Sequence, residues 1–335
     1  MENLVYILGA GASVPEGAPV VMDFFPKAWE LCEQDRLEPE DRERAERCWQ
    51  FLRLVYRKSV AAEADFARLP TLDEVLSLID LSLHQEQGVH AEYGPQQLFE
   101  IRTDFYHLIS ATLGQVLSGK GQLHYAFIDR VLQELRLGDR VTFISLNYDL
   151  LLDKAIADHG YRIDYGFGRA GGPWHQERAL AVLKPHGSLN WGICPVCDHI
   201  EYRLDRVQAL LPEGLNCGYC RRPVRQGVVI TPTLLKAYNS AELKMIWPLA
   251  GRAVQQSTKL VFIGYSLPAA DVPFLQLLQR ALNARLPQQA PPAVHFITAA
   301  ATEERRAAFR QRVERVLDGP VHFCFEGFTG QIDAT

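Results

Sequence analysis

The sequence lacks the features that would place the protein in a membrane or on nucleic acid. No apolar run among its 335 residues reaches the roughly 20 residues that a bilayer-spanning helix needs. Its first residues lack a basic region, and the apolar run at residues 5–8 is too short for the core of a secretory signal. A net charge of -5 leaves no basic footprint of the kind that nucleic-acid binders carry. We therefore expect a cytoplasmic protein that binds neither membranes nor nucleic acid directly.

An internal repeat and a long linker are also missing. The only linker-like stretch, residues 287–292, is too short to separate two domains. The apolar fraction of 47% is ordinary for a globular protein that buries a sizeable core. The sequence therefore favours one domain over residues 1–335, with insertions.

Short apolar runs alternate with helical patterns, which predicts an α/β fold built on a Rossmann-like, doubly wound parallel sheet. The predicted strands are residues 4–8, 141–146, 181–183, 228–231, 259–263 and 294–297. The predicted helices are residues 27–58, 72–84, 96–117, 125–135, 150–158, 241–256, 274–285 and 303–316. Thr71 and Glu74 form a capping-box pattern before the second of these helices. Only helical patterns separate the first two strands, so we expect a helical insertion at residues 25–137.

A glycine-rich turn follows the first predicted strand at residues 9–13, Gly-Ala-Gly-Ala-Ser. Two glycines let the backbone turn sharply and approach a pyrophosphate, which backbone N–H groups and a helix N-terminus would bind. The turn departs from the dinucleotide-binding fingerprint, because Val14 replaces the third glycine and no acidic strand end follows about 20 residues later. A strand-to-helix turn without a ligand remains the alternative.

Polar residues follow two further predicted strands. Asn147 and Asp149 come after one strand, and His186 comes after the next. Ligands of open α/β sheets bind at the carboxyl ends of the strands, so these residues and the glycine turn should converge on one cleft. The alternatives are that Asp149 caps the following helix and that His186 is a structural histidine.

Two Cys-x-x-Cys pairs, separated by residues 198–216, have the spacing of a four-thiolate zinc site. The predicted ligands are Cys194, Cys197, Cys217 and Cys220. Four thiolates fill the tetrahedron, so the Zn²⁺ would be structural, held in a small loop-rich module at residues 191–226. Gly218 would allow the tight turn between two ligands. The alternative is two unrelated redox or free-thiol pairs.

The order of these motifs resembles the sirtuin-like superfamily of NAD-consuming proteins. The five matching motifs are residues 9–13, Asn147-Tyr148-Asp149, His186-Gly187, the two cysteine pairs, and Gly264-Tyr265-Ser266-Leu267. The resemblance covers nearly the whole chain except the helical block. It implies that Asn147 and His186 are catalytic. It also implies that NAD⁺ is bound by Gly9, Ala10, Gly11, Ala12, Ser13, Asp149, Gly264, Tyr265, Ser266 and Leu267.

The chemistry that the resemblance implies is cleavage of the nicotinamide–ribose bond of NAD⁺. Asn147 would hydrogen-bond the ribose or a water, and His186 would act as general base toward a ribose hydroxyl or a water. Ser13 and Ala10 would line the phosphates. Ser266 and the backbone at Gly264 would contact the adenosine.

The motif flanks differ from those of sirtuin deacylases. Residues 17–25 contain no arginine, Leu146 replaces a glutamine, and residues 228–236 lack the Phe-Gly-Glu that follows the zinc module. The segments 147–150, 184–191 and 230–236 resemble instead the bacterial sirtuin-like domains of antiphage defence systems, which hydrolyse NAD⁺ to nicotinamide and ADP-ribose.

This second resemblance favours an NAD⁺ hydrolase that depletes NAD⁺ in antiphage defence. An NAD-dependent protein deacylase and a non-catalytic NAD or ADP-ribose sensor remain alternatives. Many such defence domains are joined to a sensor domain, whereas this sequence ends soon after its core. We therefore expect regulation by a separate sensor or activator protein, or by self-assembly into a homo-oligomer.

Overall fold

A computed structural model describes residues 2–60, 63–167, 178–194, 196–202, 215–229, 241–269, 271–286 and 288–330. The strands within these ranges are β1 (Asn3–Leu8), β2 (Arg140–Ser145), β3 (Arg162–Asp164), β4 (Ala179–Leu183), β5 (Gly187–Ile193), β6 (Ile200–Tyr202), β7 (Arg225–Val229), β8 (Lys259–Ile263), β9 (Ala293–Ile297) and β10 (Val321–Cys324). The α-helices are α1 (Phe24–Glu33), α2 (Pro39–Tyr56), α3 (Leu72–His84), α4 (Pro95–Val116), α5 (Gln122–Glu134), α6 (Leu151–Asp158), α7 (Ala241–Gln256), α8 (Val272–Asn283) and α9 (Glu303–Glu314). No α-helix in these ranges is both long and apolar enough to cross a membrane.

Seven strands form the central sheet in the order β10-β9-β8-β1-β2-β4-β3, and every pairing described in it is parallel. The chain builds the sheet outward in both directions from β1, which pairs with β2 on one side and β8 on the other. β1 is therefore the topological switch point, where open α/β sheets bind their ligands. The predicted doubly wound α/β fold is confirmed.

Residues of α1 to α4 form a hydrophobic core separate from that of the sheet. Phe25 lies at its centre, with ring centroids 6.0 Å from Trp49 and 6.2 Å from Phe105. Helix α5 packs elsewhere, because Phe127 lies edge-on to Tyr6 of β1 at 5.3 Å. The insertion limits of 25–137 stay a prediction, and among the α-helices described within them α1 to α4 share the separate core whereas α5 does not.

The sequence predicted most helices and strands of the sheet to within a few residues, but the single helix predicted over residues 27–58 is wrong, because α1 ends at Glu33 and α2 begins at Pro39. The predicted capping box is present, since the Glu74 carboxylate accepts the Thr71 backbone N–H at 2.8 Å. The short strands β3, β5, β6 and β10 were not predicted. β5 has the sequence Gly-Ser-Leu-Asn-Trp-Gly-Ile. Its small and polar residues do not form the apolar run that predicts a buried strand, although the strand is almost entirely buried.

The predicted strand at 228–231 was wrongly assigned to the strand–helix alternation of the parallel sheet. The described strand β7 pairs antiparallel with β5, with Gly187 opposite Val229, in a separate sheet of order β6-β5-β7. A parallel neighbour needs a crossover connection, usually a helix, and no helix lies between β5 and β7 in the described residues. Residues 230 and 231 lie outside the described residues.

Glu16, which follows the glycine turn, forms hydrogen bonds with the start of α5. The Glu16 carboxylate accepts the backbone N–H groups of Gly121 at 3.1 Å and Leu123 at 2.7 Å, and it lies 3.7 Å from Nδ1 of His124. The interaction with His124, together with these N–H groups, lowers the pKa of Glu16 from 4.5 to about 2, although burial opposes the shift. Glu16 therefore caps α5 from a distant part of the chain.

Glu16→Gln should destabilise the fold by roughly 2 kcal/mol at pH 7, because a buried carboxylate that accepts several hydrogen bonds is lost. The folded pKa lies below the usual value, so the stabilisation is fully present above about pH 4.5 and is lost as pH falls toward 2. Urea unfolding of both proteins between pH 3 and 7 should show the difference narrowing in acid. The exposed Glu43→Gln serves as control. A difference in stability between wild type and Glu16→Gln that is independent of pH would contradict the assignment of the Glu16 carboxylate as the cap of α5.

Candidate active site

The glycine turn packs backbone to backbone against the residues that follow β8. The Gly9 N–H donates to the Ile263 carbonyl and the Gly11 N–H to the Gly264 carbonyl, both at 2.9 Å. A Cβ added at Gly9 or Gly11 would lie 2.8 Å from backbone atoms of Gly264 or Tyr265. Gly264 itself has a φ of +62°, and its Cβ would lie 2.0 Å from the Ala12 nitrogen. Glycine is required on both sides of this contact.

The turn does not start an α-helix, and this corrects the expectation of a helix N-terminus at the phosphates. Two short 3-10 helices, Ala10–Ala12 and Val14–Glu16, follow β1, and the next α-helix begins only at Phe24. The backbone N–H groups of Gly9, Gly11, Ala12 and Ser13 donate to protein carbonyls. Ala10 is the exposed residue of the turn. Since the third glycine of the fingerprint serves close helix–strand packing, Val14 is tolerated here.

Asn147, Ser13 and Asp149 form one buried hydrogen-bonded cluster. The Asn147 Nδ2 donates to the Gly9 carbonyl at 3.0 Å and to the Ser13 Oγ at 3.1 Å. The Ser13 hydroxyl donates in turn to Asp149 Oδ2 at 2.7 Å. Asn147, Ser13 and Asp149 are 8%, 1% and 8% exposed, respectively. The predicted convergence of the glycine turn with the loop after β2 is therefore present in the structure.

Asp149 also contacts the start of α6, in agreement with the alternative prediction that it caps this helix. Its Oδ1 accepts the Leu151 N–H at 3.1 Å, and its backbone carbonyl accepts from Lys184 Nζ at 2.7 Å. Lys184 is fully buried, and its ammonium lies 3.1 Å from Asp153 Oδ2. Asp153 accepts a further hydrogen bond from the Tyr165 hydroxyl, whose pKa is raised chiefly by burial.

Sequence reasoning assigned no role to Lys184 or Asp153. The available signal was a lysine at the end of the apolar run Ala-Val-Leu in β4, where a charge requires a buried partner. This ion pair fixes the backbone of the loop that carries Asn147 and Asp149.

His186 lies beside a carboxylate that sequence reasoning missed. Its Nε2 is 3.2 Å from Asp271 Oδ1, and the other carboxylate oxygen accepts the Tyr265 hydroxyl at 2.8 Å. Burial and Asp271 raise the pKa of Tyr265. Because Asp271 precedes α8, the sequence predicts only an ordinary helix cap, but its side chain makes no capping hydrogen bond.

The rest of the predicted adenosine segment follows Tyr265. Ser266 is exposed, and its carbonyl accepts from Arg312 Nη1 at 2.8 Å. Leu267 is buried with a φ of 52°. Of the predicted NAD-site residues, the turn, Asn147, Asp149 and Gly264 are in direct contact, and His186 joins them through Asp271 and Tyr265.

The four cysteines of the two pairs meet at one point. Their sulfur atoms all lie within 4.8 Å of one another, and the separations include 3.4 Å for Cys194–Cys220, 3.5 Å for Cys197–Cys220 and 3.6 Å for Cys197–Cys217. A tetrahedron with Zn–S bonds of about 2.3 Å has sulfur atoms roughly 3.8 Å apart, so the cluster could hold zinc. Strand β5 connects it to His186, because β5 begins at Gly187 and ends at Ile193.

The expected role of Gly218 is wrong. The left-handed residue of that knuckle is Arg221, with a φ of 64°, and Asp198 has the equivalent position in the other knuckle with 56°. Gly218 donates its N–H to Glu201 Oε1 at 2.6 Å, and a Cβ there would lie 3.0 Å from the same oxygen. The glycine makes room for Glu201.

A parallel α/β sheet with a polar cluster at its switch point and a four-cysteine module defines the class of this protein. The family model described as the SIR2-like domain matches residues 141–316, more than half of the chain. The chain therefore belongs to the SIR2-like domain family, and the resemblance to the sirtuin-like superfamily is confirmed.

Among solved structures, similar chains include a Sir2 homologue in complex with NAD. It is 16% identical, with 98% of this chain and 84% of that chain covered and a TM-score of 0.40. Sir2Tm bound to a propionylated peptide is 14% identical, with 93% and 92% covered and a TM-score of 0.39. At such values the likeness says nothing about substrate. No curated protein matches the chain.

Proposed function

We propose that the protein is an NAD⁺ hydrolase that uses water to cleave the nicotinamide–ribose bond, giving nicotinamide and ADP-ribose. The observation that carries the proposal is the buried Asn147–Ser13–Asp149 cluster on the glycine turn, in a member of the SIR2-like domain family. NAD⁺-dependent chemistry in general is the part that family membership supports. Hydrolysis of NAD⁺ by water is the more specific part of the proposal.

Asn147 is held in one orientation. Its two amide hydrogens face the Gly9 carbonyl and the Ser13 hydroxyl, which leaves its carbonyl oxygen to accept from a ribose hydroxyl or a water. Nicotinamide leaves as a neutral molecule from a cationic substrate, so the reaction requires accurate placement of ribose and nucleophile more than protonation of the leaving group. His186 removes the proton from the ribose hydroxyl or the water.

Water is favoured over an acylated peptide by what the sequence lacks. Residues 17–25 contain no arginine, and Leu146 replaces the glutamine of deacylases. The segment that would pair with a peptide substrate extends into residues 230–236, which lie outside the described residues. Four cysteines would hold a structural Zn²⁺ with no open coordination position, so the metal would maintain the module and take no part in the reaction.

The cellular role that we propose is antiphage defence by NAD⁺ depletion in the cytoplasm. Unregulated NAD⁺ loss would be toxic to the cell, so we further propose control by a sensor or activator protein or by homo-oligomerisation.

Incubating the purified protein with NAD⁺ and no peptide should yield nicotinamide and ADP-ribose in equal amounts, as measured by liquid chromatography. Asn147→Ala and His186→Ala should each lower the rate by about 100-fold or more. The exposed Asn283→Ala and His84→Ala are matched controls that should retain full activity.

Two other outcomes would sink the proposal. Turnover only with an acylated peptide would assign a deacylase. Binding of NAD⁺ without turnover, unchanged by His186→Ala, would assign a sensor. If an activator is needed, expression in cells should lower their NAD⁺, and Asn147→Ala should prevent that loss.

A further inference from the structure

Lys184 connects the two loops that carry the proposed catalytic residues. It is the first residue after β4, and its backbone carbonyl accepts the Gly187 N–H at 3.0 Å, which closes the turn that contains His186. Its side chain reaches the loop after the neighbouring strand β2, where Nζ donates to the Asp149 carbonyl at 2.7 Å. Because the Lys184 side chain is fully buried, water does not compete for this hydrogen bond.

We infer that Lys184 is a positioning residue for Asn147: its hydrogen bond to the Asp149 carbonyl holds the loop after β2 at a fixed distance from the turn that contains His186. Asn147 binds the ribose and His186 is the base under the proposed function, and such a reaction is slowed when its groups are misplaced by even about 1 Å. The inference rests on that proposed function, because Lys184 acts on the reaction only through Asn147.

The backbone of the same loop has a second anchor. The Tyr148 carbonyl accepts the Leu189 N–H at 3.0 Å, so strand β5 also holds the loop. Lys184 supplies a charged donor, and a charge-assisted hydrogen bond is stronger than one between neutral groups. It acts two residues after Asn147, at the Asp149 carbonyl. Loss of the Lys184 donor should therefore loosen the loop close to Asn147 without detaching it from β5.

Asp153 holds the ammonium in place from α6. Its Oδ2 accepts from Lys184 Nζ at 3.1 Å, its Oδ1 accepts from the Tyr165 hydroxyl, and its side chain is 1% exposed. Removing one partner of a buried ion pair leaves an uncompensated charge, whereas removing both charges does not. The ion pair with Asp153 and the hydrogen bond to Asp149 can therefore be separated by mutation.

Lys184→Met and Asp153→Asn, alone and combined, separate these two roles. Lys184→Met leaves the Asp153 charge unpaired and should lower the urea midpoint, and adding Asp153→Asn should recover part of that loss. By contrast, kcat for NAD⁺ cleavage should fall about 100-fold in both proteins that lack Lys184. In Asp153→Asn the amide oxygen can still accept from Lys184, so kcat should fall less than about tenfold. The exposed Lys244→Met is the control and should match the wild type.

A spectroscopic readout separates this inference from the proposed function. ¹⁵N–¹H spectra of protein labelled at asparagine show the side-chain NH₂ of Asn147, whose signals are those lost in Asn147→Ala. In the wild type and in Asp153→Asn these hydrogens donate to Gly9 and Ser13 and should exchange slowly with solvent, whether or not NAD⁺ is hydrolysed. In the double variant Lys184→Met/Asp153→Asn their signals should shift and exchange faster.

Two results would overturn the inference. One is a set of Asn147 signals that is the same in Asp153→Asn and in the double variant. The other is a loss of kcat that follows the urea midpoint through the series, because the ion pair would then act through stability alone. If Lys184→Met fails to fold, Asp153→Asn and the double variant still decide, since both lack the ion pair and they differ only at residue 184. The expected signals without NAD⁺ turnover would refute the proposed function and support the positioning of Asn147.

Discussion

Gly264→Ala should destabilise the protein by about 4 kcal/mol or more and abolish measurable NAD⁺ binding. The new Cβ would lie 2.0 Å from the Ala12 nitrogen and 2.2 Å from the Gly11 carbonyl carbon. These are backbone atoms of the glycine turn, so no side-chain rotation can relieve the overlap and the two loops must separate. Costs of this size are exceptional for single substitutions and require such a specific cause.

Gly160→Ala is the matched control for backbone strain. Gly160 has a φ of +76°, similar to that of Gly264, but nothing lies within 4 Å of its added Cβ. It should cost only about 1 kcal/mol, the usual penalty for a left-handed alanine. Urea unfolding and titration calorimetry with NAD⁺ would measure both variants. Equal losses of stability would mean that strain, and not the contact between the loops, explains the effect.

Cys220→Ser should reduce bound zinc from one ion per chain to nearly none and unfold the cysteine module. Structural zinc binds with an apparent free energy of about 10–16 kcal/mol in zinc-finger peptides, more than the 2–5 kcal/mol that a large core truncation costs. NAD⁺ turnover should fall with the metal, because β5 runs from the module to the residue after His186. Zinc content would be measured by mass spectrometry, and unfolding by tryptophan fluorescence.

Trp191 makes the fluorescence informative. It is fully buried in β5, with ring centroids 5.0 Å from Tyr165 and 4.8 Å from Phe167. Cys324→Ser is the control, since this exposed cysteine lies on β10. A Cys220→Ser protein that keeps its zinc, or loses it without any change in Trp191 or in turnover, would refute the structural role.

Local patterns predicted the strands β1, β2, β4, β8 and β9 of the central sheet and the main site loops. Parallel strands that are buried on both faces give short apolar runs, and the residues after β1, β2 and β4 stand out against them as glycine or polar residues. The rule that ligands bind at the carboxyl edge then predicts that residues 9–13, Asn147 and Asp149 lie together.

The parts that could not be predicted depend on contacts between distant segments. Asp271 looks like a helix cap in the sequence, and only the fold turns it toward His186. The antiparallel pairing of β5 with β7 likewise depends on how the cysteine pairs bring the chain back, because β5 itself lacks strand periodicity. The left-handed position of the second knuckle could not be predicted either, because it is occupied by Arg221 and not by Gly218, the residue type that favours this conformation.

Tyr148 gives the helical core a part in the site. Its neighbours Asn147 and Asp149 belong to the polar cluster, whereas its own ring packs with the α1 to α4 core, as does Leu189 of β5. A chain trimmed of these helices would expose both side chains to water and remove the packing that supports the loop after β2 and strand β5. The α1 to α4 core therefore supports the loop that carries Asn147, so under the proposed function a protein that displaced these helices would also displace the proposed ribose-binding residue.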